Sequence, residues 1–187
     1  MSQAGSYHVK GGATQDGTEM AMDFRISGAD FSGKLSMGAD ADVDLLVVGG
    51  KQYMRPSEGF WSMLGMGETA KTVSATLGTK WLEVSAADQS MSSIFSIVKI
   101  DELLSVTGKA AKGESTEVDG KPVVTLTDSA DAESKLFVAT TGEPYPVRLG
   151  AATGEGVSFS EFGGTFDDIK APAADQVLDM AALSGQK

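Results

Sequence analysis

The chain has 187 residues, 41% of them hydrophobic, and a formal net charge of −11 at pH 7. This length is enough for a domain with a substantial core, so we assign residues 1–187 to a single domain and expect poorly ordered tails at about 1–6 and 181–187. The acidic charge argues against nucleic acid as a partner, because phosphates require cationic neutralisation. Cysteine is absent, which excludes disulfides and thiolate metal sites.

The N-terminal half alternates apolar and polar residues with a period of two, which is typical of strands that bury one face. Within residues 18–37, the predicted buried residues occupy even-numbered positions before the turn-forming stretch Ser27–Asp30 and odd-numbered positions after it. A hairpin folded there aligns apolar residues with apolar residues and opposite charges with each other. The pairs predicted by this register are Ile26 with Phe31, Met22 with Leu35, and Asp23 with Lys34.

Further strands extend this hairpin into a predicted antiparallel meander. A preceding strand carries Tyr7 and Val9, and the segment KQYMRP supplies another strand after Gly50. Between them, a turn near Gly38 begins a strand of alternating residues. Its buried positions are Val43, Leu45 and Val47, and its exposed positions are Asp40, Asp42 and Asp44.

The middle of the chain shows helical rather than alternating patterns. The stretch EGFWSMLG predicts a short helix, and GETAKTVSATLG predicts a second helix that ends at Gly78. After the brief strand TKWLEVS, an apolar stripe predicts a third helix, a break near Ile100 and a further helical piece that closes at Gly108. The stripe consists of Met91, Ile94, Phe95 and Val98.

The C-terminal part returns to strands, with VDGK at residues 118–121 as a strong hairpin signal. A short terminal helix is predicted after Pro172. Because strands, helices and strands follow in this order, we predict an α+β fold with helices over one face of a single curved antiparallel sheet. The predicted C-terminal strands are 113–118, 122–127, 134–140, 146–151 and 156–162.

The sequence offers little support for catalysis. His8 is the single histidine, and no Gly-x-Ser-x-Gly motif or phosphate-binding glycine motif accompanies it. An EF-hand loop beginning at Asp40 requires glycine at its sixth position and glutamate at its twelfth, where the chain has Leu45 and Lys51. We therefore predict no enzyme activity, no cofactor and no metal site.

Methionine is unusually frequent, with nine residues, most of them in or beside predicted buried positions. Its flexible side chain suits a surface that accepts apolar ligands of variable shape, although such residues also serve as ordinary core filling. Phe60, Trp61 and Leu64 lie on the helical insertion, and the flanking Gly59 and Gly65 predict that this insertion is a movable cover.

Several motifs occur in the order found in a family of envelope lipoproteins. Thr141-Gly142-Glu143-Pro144, flanked by apolar strands, resembles a recurrent element of the LolA/LolB-like carriers and, more closely, of the actinobacterial LppX/LprA/LprF/LprG lipoproteins. The segments VVGGKQYMRP followed by FW, GTKWLEVS, and VDGKPVVTLTD resemble other family segments in the same order. Together they cover the chain from about Tyr7 to Asp175.

The resemblance implies a strongly curved half-barrel whose concave face is covered by mid-chain helices, with an apolar cavity for acyl chains between them. It also implies an exported protein at the outer face of the cytoplasmic membrane or in the cell envelope. Many family members carry a lipidated cysteine at the mature N-terminus, which this sequence lacks, so a membrane anchor is an expectation from the resemblance alone.

The leading hypothesis is a domain that binds a lipid or other amphiphile, with a carrier role as one option. The alternative is an envelope interaction or scaffold module with a filled core, no ligand and a protein partner. The candidate cavity residues are Met22, Phe24, Leu35, Met37, Leu45, Val47, Tyr53, Phe60, Trp61, Leu64, Phe95 and Val98.

Overall fold

The computed structural model describes residues 4–15, 17–85, 88–98, 100, 104–105 and 108–179. The helices are α1 Glu58–Met63, α2 Thr69–Leu77 and α3 Gln89–Ser92, which continues as the 3-10 helix Ser93–Val98; a 3-10 turn covers Ala174–Gln176. The strands are β1 Ser6–Gln15, β2 Thr18–Ser27, β3 Asp30–Met37, β4 Asp42–Val48, β5 Lys51–Pro56, β6 Trp81–Val84, β7 Ala110–Val118, β8 Lys121–Asp128, β9 Asp131–Ala139, β10 Pro146–Gly150, β11 Gly156–Ser160 and β12 Val177–Asp179.

These strands form one open sheet in the order β12–β6–β5–β4–β3–β2–β1–β11–β10–β9–β8–β7. Neighbouring strands are antiparallel, except that β12 is parallel to β6. The three helices lie between β5 and β7 along the chain, which confirms the α+β class and the single, mostly antiparallel sheet. Within the described residues, no helix has the length and apolar character needed to cross a membrane.

The predicted registers of the strands are confirmed. The hairpin between β7 and β8 turns at Asp119 and Gly120, which both have positive φ (50° and 75°), as a two-residue type I′ turn requires. In the N-terminal meander, Lys34 also pairs with Asp44 of β4. The pairs between β2 and β3 include Ile26 with Phe31, Met22 with Leu35, and Asp23 with Lys34.

Helices α1 and α2 form where the sequence predicts them. The Ser57 hydroxyl caps α1 by accepting a hydrogen bond of 3.2 Å from the Phe60 amide. Helix α2 buries Leu77 and ends at Gly78, whose φ of 55° stops the helix. The predicted third helix divides into α3 and the 3-10 helix, and the helical piece predicted after residue 100 lies largely outside the described residues.

One face of the sheet, which we call the apolar face, forms the main hydrophobic core together with residues of the helices. A row of directly paired positions crosses this face from β11 to β12. Within the row, the Phe24 ring occupies the space beside Gly33, where a Cβ would lie 2.4 Å from Phe24 Cδ1. The row consists of Phe159, Val9, Phe24, Gly33, Leu45, Met54, Leu82 and Leu178.

The opposite face, which we call the charged face, carries a ladder of alternating charges. Arg55 donates two hydrogen bonds to Asp44 Oδ2 (2.8 and 3.0 Å), and its guanidinium lies 4.8 Å from the centre of the Trp81 ring. Opposite charges on adjacent strands favour this register over a slipped one. The paired ladder positions are Lys10, Asp23, Lys34, Asp44 and Arg55.

The C-terminal segment differs from the prediction. Instead of forming a helix after Pro172, the described chain makes one 3-10 turn and then adds β12 to the edge of β6. On the way from β11 to β12 the chain passes the charged face, where Asp168 lies 3.7 Å from Arg25. The helix prediction was wrong because pairing with an open strand edge, which local sequence does not show, outweighs local helix propensity.

Candidate functional site

The candidate site is an apolar groove of 490 Å³ between the end of β3, helix α1 and the segment formed by α3 and the 3-10 helix. Methionine and other apolar side chains supply most of its wall, and two serines supply the remainder. Its volume lies within the range of about 300–1,000 Å³ that is typical of ligand pockets. The groove is lined by Met37, Phe60, Met63, Leu64, Met91, Ser93, Ile94 and Ser96.

Hydrogen bonds to Ser57 fix the position of α1 against the turn that precedes β4. The Ser57 hydroxyl donates to the Asp40 carbonyl (2.7 Å) and accepts from the Asp42 amide (3.0 Å). Gly59 packs directly on this turn, since a Cβ on it would lie 2.2 Å from the Asp40 carbonyl oxygen. Gly59 therefore serves close packing and not movement, and the prediction of a hinge on this side of the insertion was wrong.

Two large apolar residues stay exposed at the rim of the groove. Met63 and Leu64, at the end of α1, are 50% and 47% exposed, and they are the exposed large hydrophobic residues of the described chain. The chain then turns through Gly65 and Gly67, whose φ values of 83° and 51° favour glycine. The two side chains together form a small exposed apolar patch beside the groove.

The predicted cavity residues divide into three groups. The groove contains Met37, Phe60 and Leu64. Tyr53 lies on the charged face, where it is buried beside its cross-strand partner Leu46, so its assignment to the cavity was wrong. The reason is strand alternation, because the neighbouring Met54 takes the apolar position. The remaining candidates belong to or pack against the main core: Met22, Phe24, Leu35, Leu45, Val47, Trp61, Phe95 and Val98.

The centre of the apolar face is filled. Phe24, Leu45 and Met54 have 0% exposure, and a side chain without accessible surface adjoins no void large enough for a water molecule. Among the residues that the structure describes, the groove at one end of the core offers space to a ligand. Met63, Met91 and Ile94 were not among the predicted cavity residues, because their proximity to Met37 depends on the packing of the helices.

Trp61 lies immediately beside the groove residue Phe60 and is buried in the core with 3% exposure. The two rings pack edge to face, with centroids 5.8 Å apart. Within the described part of the chain, the indole Nε1 is buried and has no hydrogen-bond partner. An unpaired buried donor costs about 1–3 kcal/mol, so α1 contains a donor whose pairing would be favourable.

His8 belongs to a hydrogen-bonded and charged network on the charged face of the sheet. Its Nε2 lies 2.6 Å from Asp23 Oδ1, and Lys10 Nζ lies 3.0 Å from the second carboxylate oxygen. Burial raises the pKa of Asp23, but hydrogen bonds and charge from His8 and Lys10 outweigh this effect and hold the pKa below its ordinary value. The Ser160 hydroxyl lies 3.5 Å from Nδ1, at the long limit of a hydrogen bond.

Asp42 and Asp44, two of the three aspartates in the rejected calcium-loop pattern, lie beside cationic side chains. Lys34 Nζ is 3.4 Å from Asp42 and 3.8 Å from Asp44. A hydrogen bond from Ser36, together with the Lys34 ammonium, holds the pKa of Asp42 below its ordinary value despite the opposing effect of burial. Among the residues that the structure describes, no three His, Cys, Asp or Glu side chains are grouped so that they could hold a metal ion.

A larger depression of 590 Å³ lies on the sheet around the ends of β1 and β2. Small residues form part of its lining, including Gly12, Ala21 and Ser36, and the charged ladder residues Lys10 and Asp23 border it. These charges already pair with each other, which leaves the apolar groove as the better candidate for a ligand.

Comparisons with protein-family models, characterised proteins and solved structures found no match for this chain.

Proposed function

We propose that this protein is an exported, non-enzymatic domain that binds a lipid or other amphiphile by enclosing its apolar chain in the groove. The observation that carries the proposal is a methionine-rich groove of 490 Å³ with the exposed Met63 and Leu64 at its rim. Methionine side chains adapt to different apolar shapes, and exposed apolar residues around a concave surface favour an apolar ligand.

The proposed architecture is a strongly curved sheet whose concave side is the apolar face, with α1 to α3 covering it. The shared core of strand and helix residues supports this arrangement. The order of the motifs that resemble the LppX/LprG lipoproteins supports it as well, and with it a location at the outer face of the cytoplasmic membrane or in the cell envelope. Fold resemblance alone does not fix a function, so the groove carries the argument.

The mechanism is shielding of an apolar chain from water. Each Å² of apolar surface that leaves water contributes about 25 cal/mol, and the ligand covers the exposed parts of Met63 and Leu64. The polar headgroup stays at the rim of the groove, in contact with water. The family resemblance is the basis for including membrane association through a lipid anchor in the proposal. Nucleic acid is not a proposed partner.

The test is ligand capture followed by a charge substitution in the groove. Native mass spectrometry of protein purified from its own host should show a co-purified amphiphile, and a fluorescent fatty acid should bind the emptied protein. Leu64→Asp should abolish probe binding without a large change in melting temperature, since Leu64 is exposed. The matched control is Ala75→Asp, which adds the same charge on the exposed surface of α2 outside the groove. Equal probe binding by Leu64→Asp and Ala75→Asp contradicts the proposal.

The second candidate function is an envelope interaction module without a ligand. The filled centre of the apolar face, where Phe24, Leu45 and Met54 have no exposure, favours it. This function predicts that no amphiphile co-purifies, that the fatty-acid probe does not bind, and that a basic protein partner is retained at low salt and released at high salt. Recovery of a stoichiometric amphiphile from the native protein contradicts it.

A further inference from the structure

The methionines of the described chain differ in their exposure to solvent-borne oxidants. Met63 is 50% exposed at the rim of the groove, whereas Met54 is completely buried in the core. Met37 and Met91 line the same groove but are only partly exposed, and Met66 packs against the core outside the groove. Susceptibility to oxidation increases with exposure, so this arrangement places the most exposed methionine of the described residues at the rim of the proposed ligand groove.

We propose that Met63 is a reversible oxidation site through which peroxide lowers the affinity of the groove for its ligand; this inference rests on the proposed function. Peroxide transfers one oxygen atom to Met63 Sδ and is itself reduced to water, and the thioether becomes a sulfoxide. The product is polar and chiral, whereas the starting side chain is apolar. Methionine sulfoxide reductases reverse the reaction, so the modification acts as a switch and not only as damage.

The chemistry of the groove explains why this oxidation matters for binding. A sulfoxide oxygen is a strong acceptor, and the lining beside Met63 consists of Phe60, Leu64 and other apolar side chains. The Ser96 hydroxyl on the other wall already donates to the Ser93 carbonyl (2.5 Å). A ligand chain laid over the sulfoxide strips it of water without replacing the hydrogen bonds, which is unfavourable. We expect probe affinity to fall at least about tenfold, equivalent to about 1.4 kcal/mol.

The first part of the test measures the order of oxidation. The folded protein is treated with increasing hydrogen peroxide and digested, and fragment spectra locate the added oxygen on individual methionines. Met63 should gain oxygen before Met66 and well before Met54, whose oxidation reports unfolding. Oxidation of Met66 ahead of Met63 overturns the proposal.

The second part measures fatty-acid probe affinity before and after peroxide, with each variant compared only with itself. In the parent and in the matched control Met66→Leu, peroxide should weaken binding at least about tenfold, and methionine sulfoxide reductase should restore it. In Met63→Leu, peroxide should leave the variant's own affinity unchanged. An equal peroxide effect in Met63→Leu, or none in the parent, overturns the switch while the proposed function stands. A parent that binds no probe before peroxide overturns both.

Discussion

Replacing Trp61 and Leu64 separately by alanine distinguishes the core part of α1 from the part proposed to contact ligand. Trp61 is 3% exposed and belongs to the main core, whereas Leu64, three residues later, is 47% exposed on the groove. Truncation of a buried tryptophan costs about 3–5 kcal/mol. Trp61→Ala also removes the unpaired Nε1 donor. We therefore expect its loss of folding stability to lie toward the lower end of that range.

The magnitudes convert into measurable shifts. For a domain of this size, 1 kcal/mol changes the melting temperature by about 2–4 °C, so Trp61→Ala should melt about 6–12 °C below the parent. Leu64→Ala should remain within about 0.5 kcal/mol of the parent, as is usual for exposed positions. Full burial of a leucine contributes about 1.5–3 kcal/mol, and the ligand covers roughly half of Leu64. Half of that range is about 0.75–1.5 kcal/mol, so we expect Leu64→Ala to weaken probe binding by about fourfold to twelvefold.

The assay is thermal unfolding followed by circular dichroism, with fatty-acid probe titration on the same samples. A Trp61→Phe variant is the control for the indole N–H, since it keeps an aromatic ring in the core and removes the unpaired donor. It should be clearly more stable than Trp61→Ala. The reasoning is refuted if Trp61→Ala melts with the parent, because Trp61 would then not be core. It is refuted equally if Leu64→Ala binds the probe as the parent does.

Two further predictions concern the sheet. Gly33→Ala places a Cβ 2.1 Å from the Asp23 carbonyl oxygen and should lower stability in urea unfolding by about 1–3 kcal/mol. Gly113→Ala, on β7, meets only ordinary contacts from 3.4 Å outward and should raise stability by about 0.5–1 kcal/mol; equal effects at the two glycines contradict this packing. Asp23→Asn should cost about 0.5–1 kcal/mol at pH 7, a modest value because its carboxylate is 36% exposed. The pKa of Asp23 is lower in the folded protein than in the unfolded chain. Its contribution to the free energy of unfolding is therefore complete above the unfolded pKa of about 3.9 and is lost as pH falls through the folded pKa. The urea unfolding curves of the parent and Asp23→Asn should accordingly converge in acid.

The N-terminal meander was predictable because each strand carries its own register information. Side chains alternate between faces, so the apolar positions of β2 and β3 and the Asp23–Lys34 pair are satisfied by one alignment and by no alignment shifted by one residue. The turn between β7 and β8 was predictable for a similar local reason, since the Asp119-Gly120 dipeptide tolerates positive φ. In both cases the determining contacts are close in sequence.

The features that escaped prediction depend on contacts between distant segments. The pairing of β12 with β6 joins residues almost one hundred positions apart, and no periodic pattern in three residues of strand marks it. Tyr53 and Met54 are both buried, so alternation of hydrophobicity could not show which one faces the main core. The groove itself required the end of β3 and the segment around Met91 to meet, which local patterns do not determine.

The corner at residues 141–146 is stabilised by an aromatic contact with a segment that is distant in sequence. Two prolines fix this corner, and Gly142 adopts a positive φ of 73°. The Tyr145 ring stacks on Phe162 with centroids 4.3 Å apart, and Phe162 in turn stacks on Tyr7 at 6.1 Å. The rigid corner therefore holds an aromatic column that joins the turn before β10 to β1 and to the chain leaving β11.

The packing of the core supports a ligand site at the groove more than one within the sheet. The centre of the apolar face is filled by side chains such as Phe24 and Leu45 with no accessible surface, and admitting a ligand there would require opening a close-packed core. The groove needs no such opening, because Met63 and Leu64 already contact water and their surface is available to a ligand. If the proposed function holds, a close-packed sheet centre with adaptable methionines at one end lets the groove accept apolar ligands of different shape without a change of fold.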